Sequence, residues 1–439
     1  MKKINKFTII FAVTLMIGTL FPSLILGSQA VYAAEAPTIN AAAAFAIEPK
    51  TGKVLLNQNG DQKLGIASMT KMITEYLVLE AIKEGKLTWD QKLTIDDYSY
   101  NISQNNELSN VPLRKDTQYT VKELFEAMAI YSANAAAITL ATAVSGSEPA
   151  FVDAMRAKVT SWGVKDFGLF NSTGLPNADL QGNIYPGSTE QDENTMTARD
   201  MAIVAQKLLT DYPEVLETAK IPELDFRKGT ADEIHMDNWN WMLPGLIYGR
   251  ANVDGLKTGT TDFAGASFTG TAEENGMRII TVVLNAADGE TNKGARFEET
   301  AKIMDFAFAN WEMKDIVKKG DSNKALKPLT VTKGKEDSVK LVIAEDLKML
   351  VPKDTDVKNL TVTFTTKKDL LTSNNEIEAP VKKDLEVGTA EITPANDPLG
   401  YVDGSQGKSV KVVTESDIEK ANVFVLMGRS IKEFFSNLF

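Results

Sequence analysis

Ser68 and Lys71 lie three residues apart in Ala67-Ser68-Met69-Thr70-Lys71-Met72. On a helix, that spacing puts both side chains on one face, within reach of each other. Met72, Ile73, Tyr76, Leu77, Leu79 and Ile82, with Glu80 among them, predict a mostly apolar helix running through a core. A serine in the first turn of such a helix sits at the positive end of its dipole, where a developing oxyanion is favoured. A lysine held in the same dry turn loses its proton near neutral pH, because desolvation disfavours the ammonium. The pair therefore reads as a serine nucleophile with a lysine base.

Composition narrows the alternatives. The 439 residues leave room for two or three domains. Lys and Arg number 47 against 59 Asp and Glu, a net charge of −12. Such a chain gains nothing from the counterion release that drives nucleic-acid binding, and no nucleic-acid partner is expected. Cysteine is absent, which excludes disulfides, thiolate metal sites and cysteine nucleophiles. His235 is the one histidine, so a Ser-His-Asp triad would have to use it. Its surroundings, Glu233-Ile-His-Met-Asp237, carry no metal-ligand spacing, and it reads as a partly exposed loop or core histidine. Neither a metal nor a cofactor is expected. A hydrolase of this composition is left with serine–lysine or carboxylate chemistry.

The chain opens with Lys2, Lys3 and Lys6, an apolar run over 7–26 and the small-residue stretch Ala30-Val31-Tyr32-Ala33-Ala34. That pattern predicts a secretory signal peptide over 1–33, with an uncleaved anchor as the alternative. Two apolar stretches flank Pro49-Lys-Thr-Gly52 and predict a hairpin before Ser68. Residues 93–118 are polar and turn-rich. Thr120-Val-Lys-Glu123 is a capping box that opens a helix over 124–130. A second helix, 135–144, is stopped by Gly146. Ser132 and Asn134 fall on the turn between the two, where either residue type is also an ordinary helix cap. Further helices are expected over 151–162, after Thr197-Ala-Arg-Asp200, and over 298–311 with Arg296 just before it. Lys257-Thr258-Gly259-Thr260-Thr261 leads into two strands, 264–271 and 277–285, joined by Glu273-Glu-Asn-Gly276.

At about Asp315 the texture changes to short alternating strands separated by Pro, Gly, Asn and Asp, which predicts a small all-β module. From Asp417 the pattern turns helical. Val423, Met427, Ile431, Phe434, Phe435 and Leu438 form one stripe, and Lys420, Arg429, Lys432 and Glu433 mark the other face. Charges inside the segment argue against a membrane span. Its amphipathic character suits a helix lying in a membrane interface, the alternative being a helix packed on its own domain.

Each short motif is weak alone. Their order and context carry the signal: Ser68-x-x-Lys71 opens a core helix, Ser132-x-Asn134 sits on an interhelix loop, and Lys257-Thr258-Gly259 lies on a strand. The chain resembles the low-molecular-mass penicillin-binding proteins, serine-type D-alanyl-D-alanine carboxypeptidases with a β-rich C-terminal domain and an amphipathic tail. Phe170-Asn-Ser-Thr-Gly-Leu-Pro176, Thr197-Ala-Arg-Asp200, Val253-Asp-Gly-Leu-Lys-Thr-Gly259 and Lys293-Gly-Ala-Arg296 extend the resemblance. The fold it implies is an α/β (α+β) β-lactamase/transpeptidase-like domain with a mostly antiparallel five-stranded sheet and a helical lobe. A C-terminal all-β sandwich and a terminal amphipathic helix would follow. The expected division is 1–33 signal peptide, 35–314 catalytic domain, 315–415 β-rich domain and 416–439 membrane-anchoring helix.

The resemblance also implies roles. Ser68 would attack the carbonyl between the two terminal D-alanines of a peptidoglycan stem peptide, and Lys71 would take its proton. Ser132 would relay a proton to the leaving amine, and Asn134 would hold Lys71 and the substrate amide. The backbone N–H groups of Ser68 and Thr260 would form an oxyanion hole, worth about 3–4 kcal/mol per donor. The peptide would lie along the strand of Lys257, Thr258, Gly259 and Thr260. Lys257, Thr258 and Arg296 would take its terminal carboxylate, although Arg296 reads equally as a surface ion pair. β-Lactams would acylate the same serine. The enzyme would work on the outer face of the bacterial cytoplasmic membrane, held to the outer leaflet by its last helix.

Three rivals remain at this level. A class A β-lactamase deacylates through a glutamate after Ser-x-Asn. No Glu-x-x-Leu-Asn follows Asn134, and Glu107-Leu-Ser-Asn precedes it. Thr260-Thr261 also suits a transpeptidase or endopeptidase. A wall-binding scaffold with a decayed site would not need the full set of Ser68, Lys71, Ser132, Asn134 and Lys257.

Overall fold

The computed structural model describes residues 36–394, 397 and 399–436, the side chains of 430–436 excepted. The expected signal peptide lies outside the described residues. The first strands are β1 (Ala41–Glu48) and β2 (Lys53–Gln58). Glu48 ties their turn together by accepting from the amides of Lys50 at 3.0 Å and Thr51 at 2.7 Å. Three more strands complete the sheet: β3 (Val253–Thr261), β4 (Gly265–Glu274) and β5 (Met277–Ala286). Its order is β2-β1-β5-β4-β3, antiparallel throughout. Asn275 and Gly276, with φ of 51° and 77°, make the tight β4–β5 turn, for which positive φ at both central residues is required.

Alternation along these strands feeds two cores. Ala43, Phe45 and Ile47 of β1 face one layer with Ile280, Val282 and Leu284 of β5. Ala44 and Ala46 face the other with Val283 and Phe268. The first layer is covered by α1 (Lys71–Lys83), which is buried along most of its length. A lobe of α2 (Asp97–Ser103), α3 (Val121–Tyr131), α4 (Asn134–Ser145) and α5 (Glu148–Ser161) packs around it. Next come α6 (Ala198–Asp211), α7 (Val215–Ala219) and, on the sheet's second face, α8 (Ala295–Asn310). The capping boxes are formed: Thr120 accepts from Glu123 N at 3.1 Å and Thr197 from Asp200 N at 3.0 Å, and each acid bonds back.

Three local expectations are corrected. The turn-rich stretch 93–118 contains α2, started by Asp96, whose side chain accepts from Ser99 N. Arg296 is inside α8 and not ahead of it. His235 lies on a strand, Ile234–Asp237, half exposed and bonded to Asp225 at 2.8 Å.

Beyond α8 the chain is β-rich. Strand β6 (Trp311–Val317) pairs with β7 (Leu347–Pro352), so residue 315 falls within a strand. A four-stranded sheet contains Leu341–Ile343, β8 (Leu360–Thr366), β9 (Glu386–Pro394) and β10 (Lys408–Thr414). Val351, Val387, Ile392 and Val412 lie in its core. The module is fastened to β2. Val54 N donates to Gly400 O at 3.1 Å and Val402 N to Gly52 O at 2.8 Å. Lys53 is buried at this seam against Asp397, at 2.8 and 2.7 Å. The last helix, α9 (Val423–Ser436), has its Arg429 bonded to the carbonyls of Gly334 and Lys335 at 2.8 and 2.9 Å.

Candidate active site

Ser68 lies in a 3-10 turn, Ala67–Thr70, that feeds directly into α1. The turn is held under strain, since Ala67 has φ of 43°. Its close neighbour is the loop at 171–174, where Gly174 has φ of 81° and a Cβ would meet Ala67 O at 1.8 Å. Only glycine fits there. The loop is stiff because Asn171 Oδ1 accepts from Thr173 N at 3.1 Å and Gly174 N at 2.7 Å. Glu148, in the first turn of α5, accepts from Ser172 N at 2.9 Å and Ser172 Oγ at 2.6 Å.

This scaffold fixes Lys71. Its Nζ lies 3.0 Å from Ser68 Oγ, 2.7 Å from Asn134 Oδ1 and 2.8 Å from Thr173 O. Both carbonyl oxygens can only accept. A neutral amine has two N–H bonds for them and one lone pair left, which then faces the serine hydroxyl. Burial lowers the Lys71 pKa well below that of a free lysine, and the Lys257 charge lowers it further, against opposing pulls from Glu75 and Glu148. Asn134 is no helix cap: the N-cap of α4 is Ala133, without a side-chain bond. Asn134 Nδ2 donates to Ser109 O at 3.0 Å and so docks the loop before α3 onto the site. Ser132 ends α3 in the left-handed region, φ 61°, nearly buried and facing the same cleft.

The opposite wall is β3. Lys257 is 3 % exposed, and the one hydrogen bond of its side chain among the described residues is a long one, 3.3 Å, to Thr258 O. Gly259 allows β3 to approach the nucleophile turn, because a Cβ there would lie 2.6 Å from Ile66 O. Arg296 reaches in from α8 and donates to Gly259 O at 3.0 Å, Thr260 Oγ1 at 2.9 Å and Ser267 O at 3.1 Å. It is 4 % exposed and has no carboxylate partner among the described residues. The surface ion pair considered for Arg296 is therefore absent. Burial lowers its pKa to about 10. Lys257 and Arg296 thus stand beside Ser68 and Lys71 with no carboxylate in hydrogen-bonding contact among the described residues. The cleft measures about 510 Å³ and is lined by Ser68, Ser132, Thr258, Thr260 and Arg296, with Tyr131 and Trp239.

Of the nine expected site residues, Ser68, Ser132, Thr258, Thr260 and Arg296 line the cleft, Lys71, Asn134 and Gly259 are hydrogen-bonded behind them, and Lys257 precedes Thr258 on β3. Sequence reasoning missed Thr173, Ser109, Glu148 and Glu75. Thr173 and Ser109 act through carbonyls, which have no residue signature. Glu75 did leave a signal, a carboxylate one turn after Lys71 in an apolar run.

Residues 30–288 match the sequence profile of the D-alanyl-D-alanine carboxypeptidases, and residues 311–420 that of the penicillin-binding protein 5 C-terminal domain. The chain belongs to the D-alanyl-D-alanine carboxypeptidase family. It is a serine-type peptidase of the peptidoglycan-modifying kind. The carboxypeptidase is 30 % identical over 394 residues to DacF of Bacillus subtilis, covering 90 % of each chain. Among solved structures it resembles a peptidoglycan synthesis regulatory factor, PBP3, of Streptococcus pneumoniae. That likeness has a TM-score of 0.67 at 40 % identity, covering 87 % of this chain and all of the other. It also resembles penicillin-binding protein D2 of Listeria monocytogenes in an ampicillin-bound form, with a TM-score of 0.51 at 31 % identity, covering 62 % of this chain and 99 % of the other. The fold expected from sequence, a catalytic α/β domain with a β-rich C-terminal domain, is the fold found.

Proposed function

We propose that this carboxypeptidase removes the terminal D-alanine of stem pentapeptides through an acyl-enzyme on Ser68. The observation that carries this reading is the Lys71 amine, with two carbonyls occupying its N–H bonds and Ser68 Oγ at 3.0 Å. Lys71 takes the Ser68 proton as Oγ attacks the penultimate carbonyl. Ser132 passes a proton to the leaving amine, and the amides of Ser68 and Thr260 hold the oxyanion. The peptide lies along β3, with its carboxylate on Lys257, Thr258 and Arg296. Water then releases the shortened peptide.

The same serine takes β-lactams, as the ampicillin-bound Listeria relative suggests. The adduct leaves slowly, because Glu148 is committed to Ser172 and Tyr98 and does not serve as a deacylating base. The division into 1–33, 35–314, 315–415 and 416–439 belongs to this reading. The first segment exports the chain. Of the last, the helix from Val423 lies in the outer leaflet of the cytoplasmic membrane: Val423, Phe424 and Met427 are exposed, while Ile418 pairs with Val381 and Arg429 is tied to the β module. Among the described residues no single helix is long and apolar enough to span a bilayer.

The test mixes the 34–414 fragment with a pentapeptide ending in D-alanyl-D-alanine and follows free D-alanine by mass spectrometry. Release by the wild type and none by Ser68→Ala supports the reading. A penicillin adduct on Ser68 without release would favour a transpeptidase or endopeptidase, which an added amine acceptor would reveal. Neither release nor adduct would favour a non-catalytic wall-binding role. Vesicle flotation of the full chain beside the 34–414 fragment tests the anchor, and equal binding by both would remove it.

A further inference from the structure

His235 is the chain's one histidine, and the reaction above has no use for it. It lies on a hairpin in which Glu223–Phe226 pairs antiparallel with Ile234–Asp237. The register sets Glu223 opposite Asp237 and Asp225 opposite His235. Side chains alternate across a strand, so these four share one face. Phe226 and Met236, on the other face, are buried in the core beneath the helical lobe. On the outer face Glu223, His235 and Asp237 are all exposed.

Spacing sets this face apart from an ordinary charged surface. His235 Nε2 lies 3.5 Å from Asp237 Oδ1 and 3.8 Å from Glu223 Oε2. One ligand atom from each of the three residues falls within 4.8 Å of the others. Nitrogen and oxygen ligands around one tetrahedral zinc stand about 3.4 Å apart, as bond lengths near 2.1 Å require. The ring is also held as a ligand is held. Asp225 Oδ1 lies 2.8 Å from Nδ1, and its other oxygen takes Lys228 Nζ at 2.7 Å. A metal-binding imidazole ordinarily gives its second N–H to a carboxylate or carbonyl in this way. With Nδ1 donating to Asp225, the neutral ring aims its Nε2 lone pair at two carboxylates. Those carboxylates, directly opposite across the strands, repel each other as well. A cation among the three relieves both repulsions.

We propose that Glu223, His235 and Asp237 form a binding site for a divalent transition-metal ion of the zinc class, with Asp225 orienting the imidazole. The nitrogen donor selects against magnesium and calcium, which favour shells of oxygen. Three protein ligands leave a coordination position to water. The ion clasps the start of one strand to the end of the other. Ile234 of that second strand and Trp239 just beyond it line the substrate cleft, so the clasp stiffens the cleft's rim. The serine chemistry does not pass through it. Sequence spacing around His235 could not announce the site, because Glu223 arrives from the facing strand.

Zinc is the probe. The full chain, stripped of metal by a chelator and then dialysed, is titrated with zinc against a chromophoric competitor, with magnesium and calcium in parallel. Because the chain has one histidine and no cysteine, the ring signal of isotope-labelled histidine in an NMR spectrum reports on this site alone. Zinc should bind at one equivalent, move that signal and raise the melting temperature. Magnesium and calcium should do none of these. Asp225→Asn should lower the zinc affinity ~10-fold, the effect of losing an orienting partner. Glu223→Gln should lower it at least as much, and His235→Ala should remove the binding. D-Alanine release without zinc should be unchanged in all three. Absence of zinc binding would overturn the proposal. So would zinc that binds with the histidine signal unmoved or that still binds His235→Ala, since the ion would then sit elsewhere. An equal response to magnesium would remove the zinc-class assignment. Should His235→Ala fail to fold, the ring signal and Asp225→Asn decide the matter.

Discussion

Lys53 and Lys71 are both completely buried, yet the seam and the cleft treat a lysine charge in opposite ways. At the seam, Lys53 meets both oxygens of Asp397, the carbonyl of Gly400 at 2.7 Å, and the rings of Trp311 and Tyr401, each 5.3 Å away. In the cleft, Lys71 meets a hydroxyl, two neutral carbonyls and the field of a second lysine. Burial lowers both pKa values, but only Lys53 has an anion in hydrogen-bonding contact to oppose it. A buried lysine is thus a fastener when its surroundings complete the charge, and gives up its proton more readily when they do not.

The sharpest way to break this contrast is Lys71→Met. D-Alanine release should fall about 10²- to 10⁴-fold, the usual share of a general base, while the melting temperature holds or rises. A destabilised Lys71→Met with residual activity would make the two lysines alike. Lys53→Met should do the reverse. It strands Asp397 and should cost about 3–5 kcal/mol of stability with kcat/KM unchanged in the folded protein. Adding Asp397→Leu should recover most of that loss in a denaturant titration. Arg296→Gln sharpens the cleft side: kcat/KM should drop roughly 10- to 100-fold for a peptide acid and far less for its amide, the size of a charged hydrogen bond. Thr120→Ala sets the scale of an ordinary polar contact, about 1 kcal/mol in a thermal melt and no change in turnover.

The contrast also explains what could be read from the sequence. Ser68, Lys71, Ser132, Asn134 and Lys257-Thr258-Gly259 were legible because their chemistry depends on fixed local spacing at helix and strand starts. The capping boxes at Thr120 and Thr197 were legible for the same reason. The partnership of Lys53 with Asp397 spans 344 residues, and no local pattern announces it. The orientation of Arg296 depends on where α8 crosses the sheet, so a surface ion pair was an equal expectation. Strand β9 escaped notice because Gly388 and Ala390 blur its alternation. The terminal helix was legible, but Arg429 clasping the 334–335 turn was not, since a charged face in sequence looks solvated until a carbonyl pair is found beneath it.

The seam has a further consequence for the sheet as a whole. An open β-sheet has two unpaired margins, and each is a template on which another chain can grow. Here Gly400 and Val402 of the second domain hydrogen-bond to Val54 and Gly52 along the β2 margin. The β3 margin faces the cleft, where the proposal places the stem peptide. The β-rich domain therefore also occupies the start of the β2 margin. A chain cut before Trp311 would expose the β2 margin and should self-associate through it, with an intact serine site and poor solubility.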